Sequence, residues 1–156
     1  MASDVSITDL LFKGGVYTAV PAKNAQEAYR CISQSINLPA GITADEFYAA
    51  LCERESVLTT AVGNGVALPH SQKPMLHDEN EECVAVCYLQ TPIDMGAPDG
   101  RLVYVMFVLL TSSLQSHLQA ISQLARYLQL PEFRRALEQQ ASAAELITLM
   151  HTVNKS

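Results

Sequence analysis

Four side chains of this sequence have types and positions suited to handling a phosphoryl group: His70, His117, Arg54 and Thr60. His70 closes the stretch Gly63-Asn64-Gly65-Val66-Ala67-Leu68-Pro69-His70. A neutral imidazole is a nucleophile toward phosphorus, and its ordinary pKa of about 6.5 leaves it neutral close to pH 7. Phosphoryl transfer asks mainly for an in-line approach and for donors on the equatorial oxygens. Arg54 offers paired guanidinium donors that match phosphate oxygens better than a lysine does. His117 falls in the first turn of an expected helix, and a helix N-terminus favours an anion. Thr60 adds a hydroxyl donor. Each has a plainer alternative: a histidine that only ends a strand, a solvated helix-end cation, a core-edge histidine bonded to a carbonyl. Spacing alone does not choose between them. His77, in a polar loop beside Asp78, Glu79 and Glu81, and His151, near the end of the last helix, read as solvated surface.

The elements that must position these groups are legible in part. Asn64-Gly65 tolerates positive φ at both positions and is a hairpin-turn signal. It joins segments 59–62 and 66–68 as a hairpin. Pro69 fixes its own φ and disfavours the helical region for Leu68, so His70 leaves a stiff support. Asn24-x-x-Glu27 and Thr43-x-x-Glu46 are capping boxes, which predict helices over 24–36 and from 43 to about 54. Segment 71–82 is polar, contains Pro74 and reads as a loop. Segment 83–90 is a strand, 92–101 is turn-rich with Ala97-Pro98-Asp99-Gly100 as a β-turn, and 102–110 is an apolar run fit for a strand buried on both faces. Ser112 or Ser113 caps a helix with Leu114, Leu118, Ile121, Leu124, Ala125 and Leu128 on one face, placing His117 on its inward edge. Pro131 opens a short helix carrying Phe133 and Leu137. Ser142-x-x-Glu145 caps a last one carrying Leu146, Leu149, Met150 and Val153. Helices, then strands, then helices predict an α/β fold: a single-domain sandwich with a mixed central sheet flanked by helices on both faces.

Composition excludes several classes. A chain of 156 residues fits one domain with a substantial core. A net charge of −6 argues against a nucleic-acid partner and leaves a basic protein partner open. The longest apolar run, residues 102–110, is too short to cross a bilayer, so no membrane insertion is expected. No secretory signal is visible, and a cytosolic location is the expectation. Cys31, Cys52, Cys83 and Cys87 form no Cys-x-x-Cys pair and read as reduced, buried, small apolar residues. The spacing of Cys83, Cys87, His77 and His70 does not suit a zinc site, and no metal or cofactor is expected.

The block Arg54-Glu55, then Thr60-Ala61-Val62-Gly63-Asn64-Gly65-Val66-Ala67-Leu68-Pro69-His70, resembles the phosphohistidine motif of the mannitol/fructose-type enzyme IIA domains of the bacterial phosphotransferase system, closest to their nitrogen-regulatory branch. The resemblance runs from about Ser6 to Val153. It implies an α/β sandwich and a phosphocarrier in which His70 takes a phosphoryl group, on Nε2, from an HPr-like protein. It implies that His117, in His117-Leu118 followed by Ser122-Gln123-Leu124-Ala125, sits beside His70, and that Arg54 takes part in the transfer. The phosphate then serves as a regulatory signal or passes to a sugar-specific enzyme IIB. Many members have Gly where this chain has Ala61 and Ser71; neither change removes a donor or the nucleophile. Two other classes remain. One is a non-phosphorylated protein-binding module of the same fold. The other is a hydrolase using His70 as general base, for which no Ser or Cys nucleophile motif or paired carboxylate is present.

Overall fold

The computed structural model describes residues 6–154. Five strands form one mixed sheet in the order β1-β4-β5-β3-β2. They are β1 (Val16–Val20), β2 (Ala61–Gly63), β3 (Val66–Ala67), β4 (Cys83–Ile93) and β5 (Val103–Leu110). β4 and β5 pair antiparallel at the centre, β1 runs parallel to β4, β3 runs parallel to β5, and β2 closes the far edge antiparallel to β3. Six helices cover the sheet: α1 (Ile7–Gly14), α2 (Ala25–Ser35), α3 (Ala44–Val57), α4 (Leu114–Leu128), α5 (Pro131–Glu138) and α6 (Ala143–Asn154).

The sheet is buried on both faces, which is why β5 is an unbroken apolar run. Along β4, Ala85, Cys87 and Leu89 join the core under α2 and α3, while Val84, Val86 and Tyr88 join the core under α1, α4, α5 and α6. Along β5, Met106, Val108 and Leu110 face the first core and Val105, Phe107 and Leu109 the second. This is the period-2 alternation of a pleated strand with an apolar layer on each side. Tyr88 carries its hydroxyl through the second core to the Ala141 carbonyl at 2.8 Å and so ties β4 to the turn before α6. The mixed sandwich expected from the order of elements is the fold observed.

The capping residues act as their spacing predicts. Asn24 accepts from the Glu27 N–H and Thr43 from the Glu46 N–H. Ser142 and Glu145 form a reciprocal box, Glu145 N–H to Ser142 Oγ at 3.2 Å and Ser142 N–H to Glu145 Oε1 at 3.0 Å. Of the two serines before α4, Ser113 is the cap and accepts the Ser116 N–H. Four departures have physical reasons. The sequence reading assigned nothing before Asn24, yet α1 and β1 lie there. Ile7, Leu10 and Leu11 bury one face of α1, and Gly14 lets it press so close to β4 that a Cβ would collide with the Val84 carbonyl. β4 runs three residues past Gln90, through Pro92 to Ile93, beyond the end of its continuous pairing with β5 at Tyr88. The α4 stripe is split: Ala120 and Leu124 are buried, but Leu114 and Leu118 in the first turns stay exposed, Leu114 at the rim of a surface recess. The cysteines are all unpaired, but only Cys87 is fully buried. Burial pushes the Cys83 thiol up to about 11 and the Cys87 thiol up to about 12.

The β2–β3 turn is built as Asn64-Gly65 predicts, with φ of 55° and 82°. Gly65 meets a second constraint, since a Cβ there would lie 2.5 Å from the Tyr104 ring. Asp99 clamps the same turn by accepting the Asn64 N–H at 2.8 Å. Gly65→Ala is therefore expected to cost about 2–4 kcal/mol, from left-handed strain plus overpacking. Gly41→Ala, at φ 94° but with open space around it, should cost only the strain of about 1–2 kcal/mol. Urea unfolding of the two variants checks the difference.

Candidate functional site

Three segments far apart in sequence meet at one end of the sheet. The first is the β3 exit. Beyond Ala67 the chain stays locked between its neighbours. Leu68 N–H donates to the Thr60 carbonyl at 2.9 Å on one side, and the Pro69 carbonyl accepts the Leu109 N–H at 2.9 Å on the other. Pro69 lacks an N–H, yet its carbonyl still pins the strand end to β5. His70 follows directly, and its Nδ1 lies 2.7 Å from the Leu68 carbonyl. A carbonyl only accepts, so Nδ1 carries the hydrogen. In the neutral ring the lone pair then sits on Nε2.

The second segment is the β5–α4 turn. Glu82 is buried and accepts both the Ser112 N–H at 2.8 Å and the Ser112 hydroxyl at 2.9 Å. With Ser113 capping α4, this fixes the first turn of the helix and the placement of His117. The His117 ring lies beside His70, ring centroids 4.4 Å apart and planes tilted by 55°. Both rings line one recess with Ser71, Gln72, Thr111 and Leu114.

The third segment is the end of α3. Arg54 is half-buried and donates from Nη1 to the Leu58 carbonyl at 2.5 Å, capping the helix C-terminus. Its positive charge reaches both imidazoles. The neighbouring Glu55 faces inward. Its Oε2 accepts the Thr60 N–H at 2.8 Å, and its Oε1 accepts the Thr60 hydroxyl at 2.7 Å. Thr60 is itself buried, and in this structure its hydroxyl hydrogen goes to Glu55. It is an anchor for Glu55 rather than a donor open to a bound phosphate.

Burial, with the Arg54 charge adding to it, lowers the His70 pKa; the Leu68 hydrogen bond and the Glu55 charge oppose the shift. His117 is pushed down to about 4 by burial first, then by the neighbouring His70 and Arg54 charges. Both rings are therefore neutral at pH 7, the state in which a nitrogen lone pair is free. Of the residues singled out by sequence, His70, His117 and Arg54 come together, while His77 and His151 lie exposed outside this recess. Glu55 carried a signal only as half of the Arg54-Glu55 pair. Glu82 carried none, being one more acidic residue in the acidic segment 78–82. Among the described residues no cluster of His, Cys, Asp or Glu could hold a metal ion, and no helix is long and apolar enough to cross a membrane.

Leu114 lines the recess and is 63% exposed, and Leu118, one turn further along α4, is 57% exposed. A groove of about 310 Å³ between the β2–β3 hairpin and α4 is lined by Val62, itself 52% exposed, with Val66, Leu68, Ile121 and Leu128.

A family profile described as the phosphoenolpyruvate-dependent sugar phosphotransferase system, EIIA 2, matches residues 9–152. The nitrogen regulatory protein of Bradyrhizobium diazoefficiens is 28% identical over 147 residues, spanning 92% of this chain and 94% of the relative. Among solved structures, nitrogen regulatory protein IIA-Ntr from Neisseria meningitidis superposes with a TM-score of 0.77 at 22% identity, covering 91% of this chain and 97% of that one. The mannitol enzyme IIA of Escherichia coli, in its complex with phosphorylated mannitol enzyme IIB, does so with a TM-score of 0.57 at 17% identity, over 78% and 83% of the two chains.

The two depressed histidines set a pH dependence. Between the ordinary value of about 6.5 and the folded values, the unfolded chain binds more protons than the folded one, so stability falls as pH drops through that window. Above about pH 6.5 the slope fades as the unfolded rings lose their protons as well. NMR titration should show His117 gaining its proton only near pH 4. Denaturant unfolding of His117→Gln should show a shallower loss of stability as pH falls from about 6.5 to about 4.

Proposed function

Because the chain belongs to the EIIA 2 family of the phosphoenolpyruvate-dependent sugar phosphotransferase system, we propose that it is a phosphocarrier whose His70 accepts a phosphoryl group from the phosphohistidine of an HPr-like protein and whose phosphorylation state regulates target proteins. The observation that carries this reading is the Nδ1–H···O=C bond from His70 to Leu68, which leaves Nε2 as the free nucleophile. Nε2 attacks phosphorus in line. The Nε2–P bond forms as the donor's N–P bond breaks, and that electron pair returns to the donor imidazole. The positive charge that develops on the His70 ring is shared through Nδ1–H with the Leu68 carbonyl. Arg54 and His117 supply donors to the phosphoryl oxygens. Neutral His117 offers one N–H. Once the phosphoryl dianion arrives its own pKa rises, so it holds the product more firmly than it holds the empty site.

The exposed leucines and the groove beside them are the seat for the donor. An apolar patch with a reactive group at its centre is the usual form of a transient docking site. Regulation follows from the same placement: a doubly charged group appears in the middle of an apolar surface and changes which proteins desolvate it favourably. The regulatory assignment is supported by the likeness to a nitrogen regulatory protein along nearly its whole length. The competing role, delivery to a sugar-specific enzyme IIB, is favoured by the likeness to a mannitol enzyme IIA solved with its IIB partner. A cytosolic site of action fits a donor of this class.

The test is phosphorylation by phosphoenolpyruvate, enzyme I and HPr, read by intact mass at alkaline pH, since phosphohistidine is acid-labile. The wild type should gain one phosphate and His70→Ala none. Arg54→Gln and His117→Ala should slow transfer by about 10- to 100-fold, the loss of a preorganised donor to the transferring group. Passage of the phosphate to an added enzyme IIB would favour the transport role; retention would favour the regulatory one.

A further inference from the structure

Behind the nucleophile lies a polar knot that the transfer step leaves unused. Tyr29 is 0% exposed on α2, yet its hydroxyl donates to Glu55 Oε1 at 2.5 Å. The same carboxylate takes both donors of Thr60, and the two hydroxyls lie 3.4 Å apart. Burial and the adjacent carboxylate drive the Tyr29 phenol far above its ordinary value, so it keeps its proton and remains a donor. Desolvating a carboxylate and a phenol together costs more than packing a phenylalanine in the same volume. Stability alone is a weak reason for such a group at this place.

The knot connects to the reacting ring. The Thr60 carbonyl accepts the Leu68 N–H at 2.9 Å, and the Leu68 carbonyl accepts the His70 Nδ1–H at 2.7 Å. One run of hydrogen bonds therefore leads from Tyr29 through Glu55, Thr60 and Leu68 to His70. We infer that Glu55, clamped by Tyr29, is a positioning residue for the phosphoryl acceptor: by gripping both donors of Thr60 it fixes the strand edge on which Leu68 presents the carbonyl that holds His70 in its Nδ1–H form. The inference rests on the reading of His70 as that acceptor. Glu55 does not touch the phosphate; it sets which nitrogen of His70 is free and where that nitrogen points. A glutamine keeps the Thr60 N–H bond through its oxygen but reverses the two hydroxyl bonds, since its NH₂ donates to Tyr29 and Thr60 where the carboxylate accepts from them.

Tyr29→Phe, Thr60→Val, Thr60→Ser and Glu55→Gln, made in the full chain, separate the possibilities. Long-range ¹H–¹⁵N imidazole spectra report the His70 tautomer, single-turnover transfer from phospho-HPr reports rate against donor concentration, and thermal unfolding reports stability. In Tyr29→Phe, Thr60→Val and Glu55→Gln the Nδ1–H pattern should give way to a mixture of tautomers. Their maximal transfer rate should fall about 5- to 10-fold, as for a misplaced reacting group, with the half-saturating donor concentration unchanged. Thr60→Ser, which keeps the hydroxyl donor, should retain the wild-type tautomer and rate. A wild-type tautomer and rate in Tyr29→Phe and Thr60→Val, even with a lowered melting temperature, would show the knot to be structural only and overturn the inference. Those two near-isosteric variants decide the matter if Glu55→Gln does not fold. If the wild type takes no phosphate from phospho-HPr, the carrier reading falls, and the tautomer comparison still decides whether Glu55 sets the state of the ring.

Discussion

The structure turns on one hydrogen bond, the donation of His70 Nδ1–H to the carbonyl of Leu68 two residues earlier. Such a short loop back onto the backbone works only if the carbonyl is itself immobile. The sheet provides that. Leu68 is bonded to the Thr60 carbonyl on its outer side, and Pro69 to Leu109 on its inner side. The strand end is thus held on both flanks at the point where its regular pairing stops. The imidazole gains a defined tautomer from a backbone carbonyl, which leaves the lone pair on Nε2.

Two carboxylates serve the two histidine-bearing segments in the same way. Glu55 binds the N–H and hydroxyl of Thr60, and Glu82 binds the N–H and hydroxyl of Ser112. Each converts the start of a connection, into β2 or into α4, from a flexible turn into a fixed bracket. The result is a pair of rings 4.4 Å apart on segments held by strand-end and helix-start hydrogen bonds. Packing two titratable rings and a guanidinium into a half-buried site keeps both rings neutral, because a proton on either would face the others' charge in a poorly solvated space.

Much of this was legible in the sequence. The Asn-Gly turn, the proline before the histidine and the four capping signals are local chemistry, and local chemistry survives into the fold. The motif, not the spacing, sets His117 beside His70, and the two rings do lie together; Arg54 is bonded to the Leu58 carbonyl and reaches the rings through its charge. What escaped notice depends on tertiary contact. α1 and β1 are short, and they become meaningful only against β4, as the crowding at Gly14 illustrates. The exposed Leu114 and Leu118 belong by period to the buried stripe of α4, and period alone does not reveal that the first turns of the helix stay uncovered. Thr60 looked like a free hydroxyl because nothing in a sequence reveals that a carboxylate five residues earlier claims its hydrogen.

The order of the strands carries a consequence in time. β1 must wait for β4, which the chain reaches only after two helices and a hairpin, and β3 must wait for β5 across the whole 71–102 stretch. Pairings of such long sequence separation close late, after the entropy of a large loop has been lost. His70 emerges from the ribosome well before the strand and helix that give its ring an environment. A nascent or half-folded chain therefore has the imidazole without its surroundings, and the defined state of the ring at position 70 arrives together with completion of the sheet.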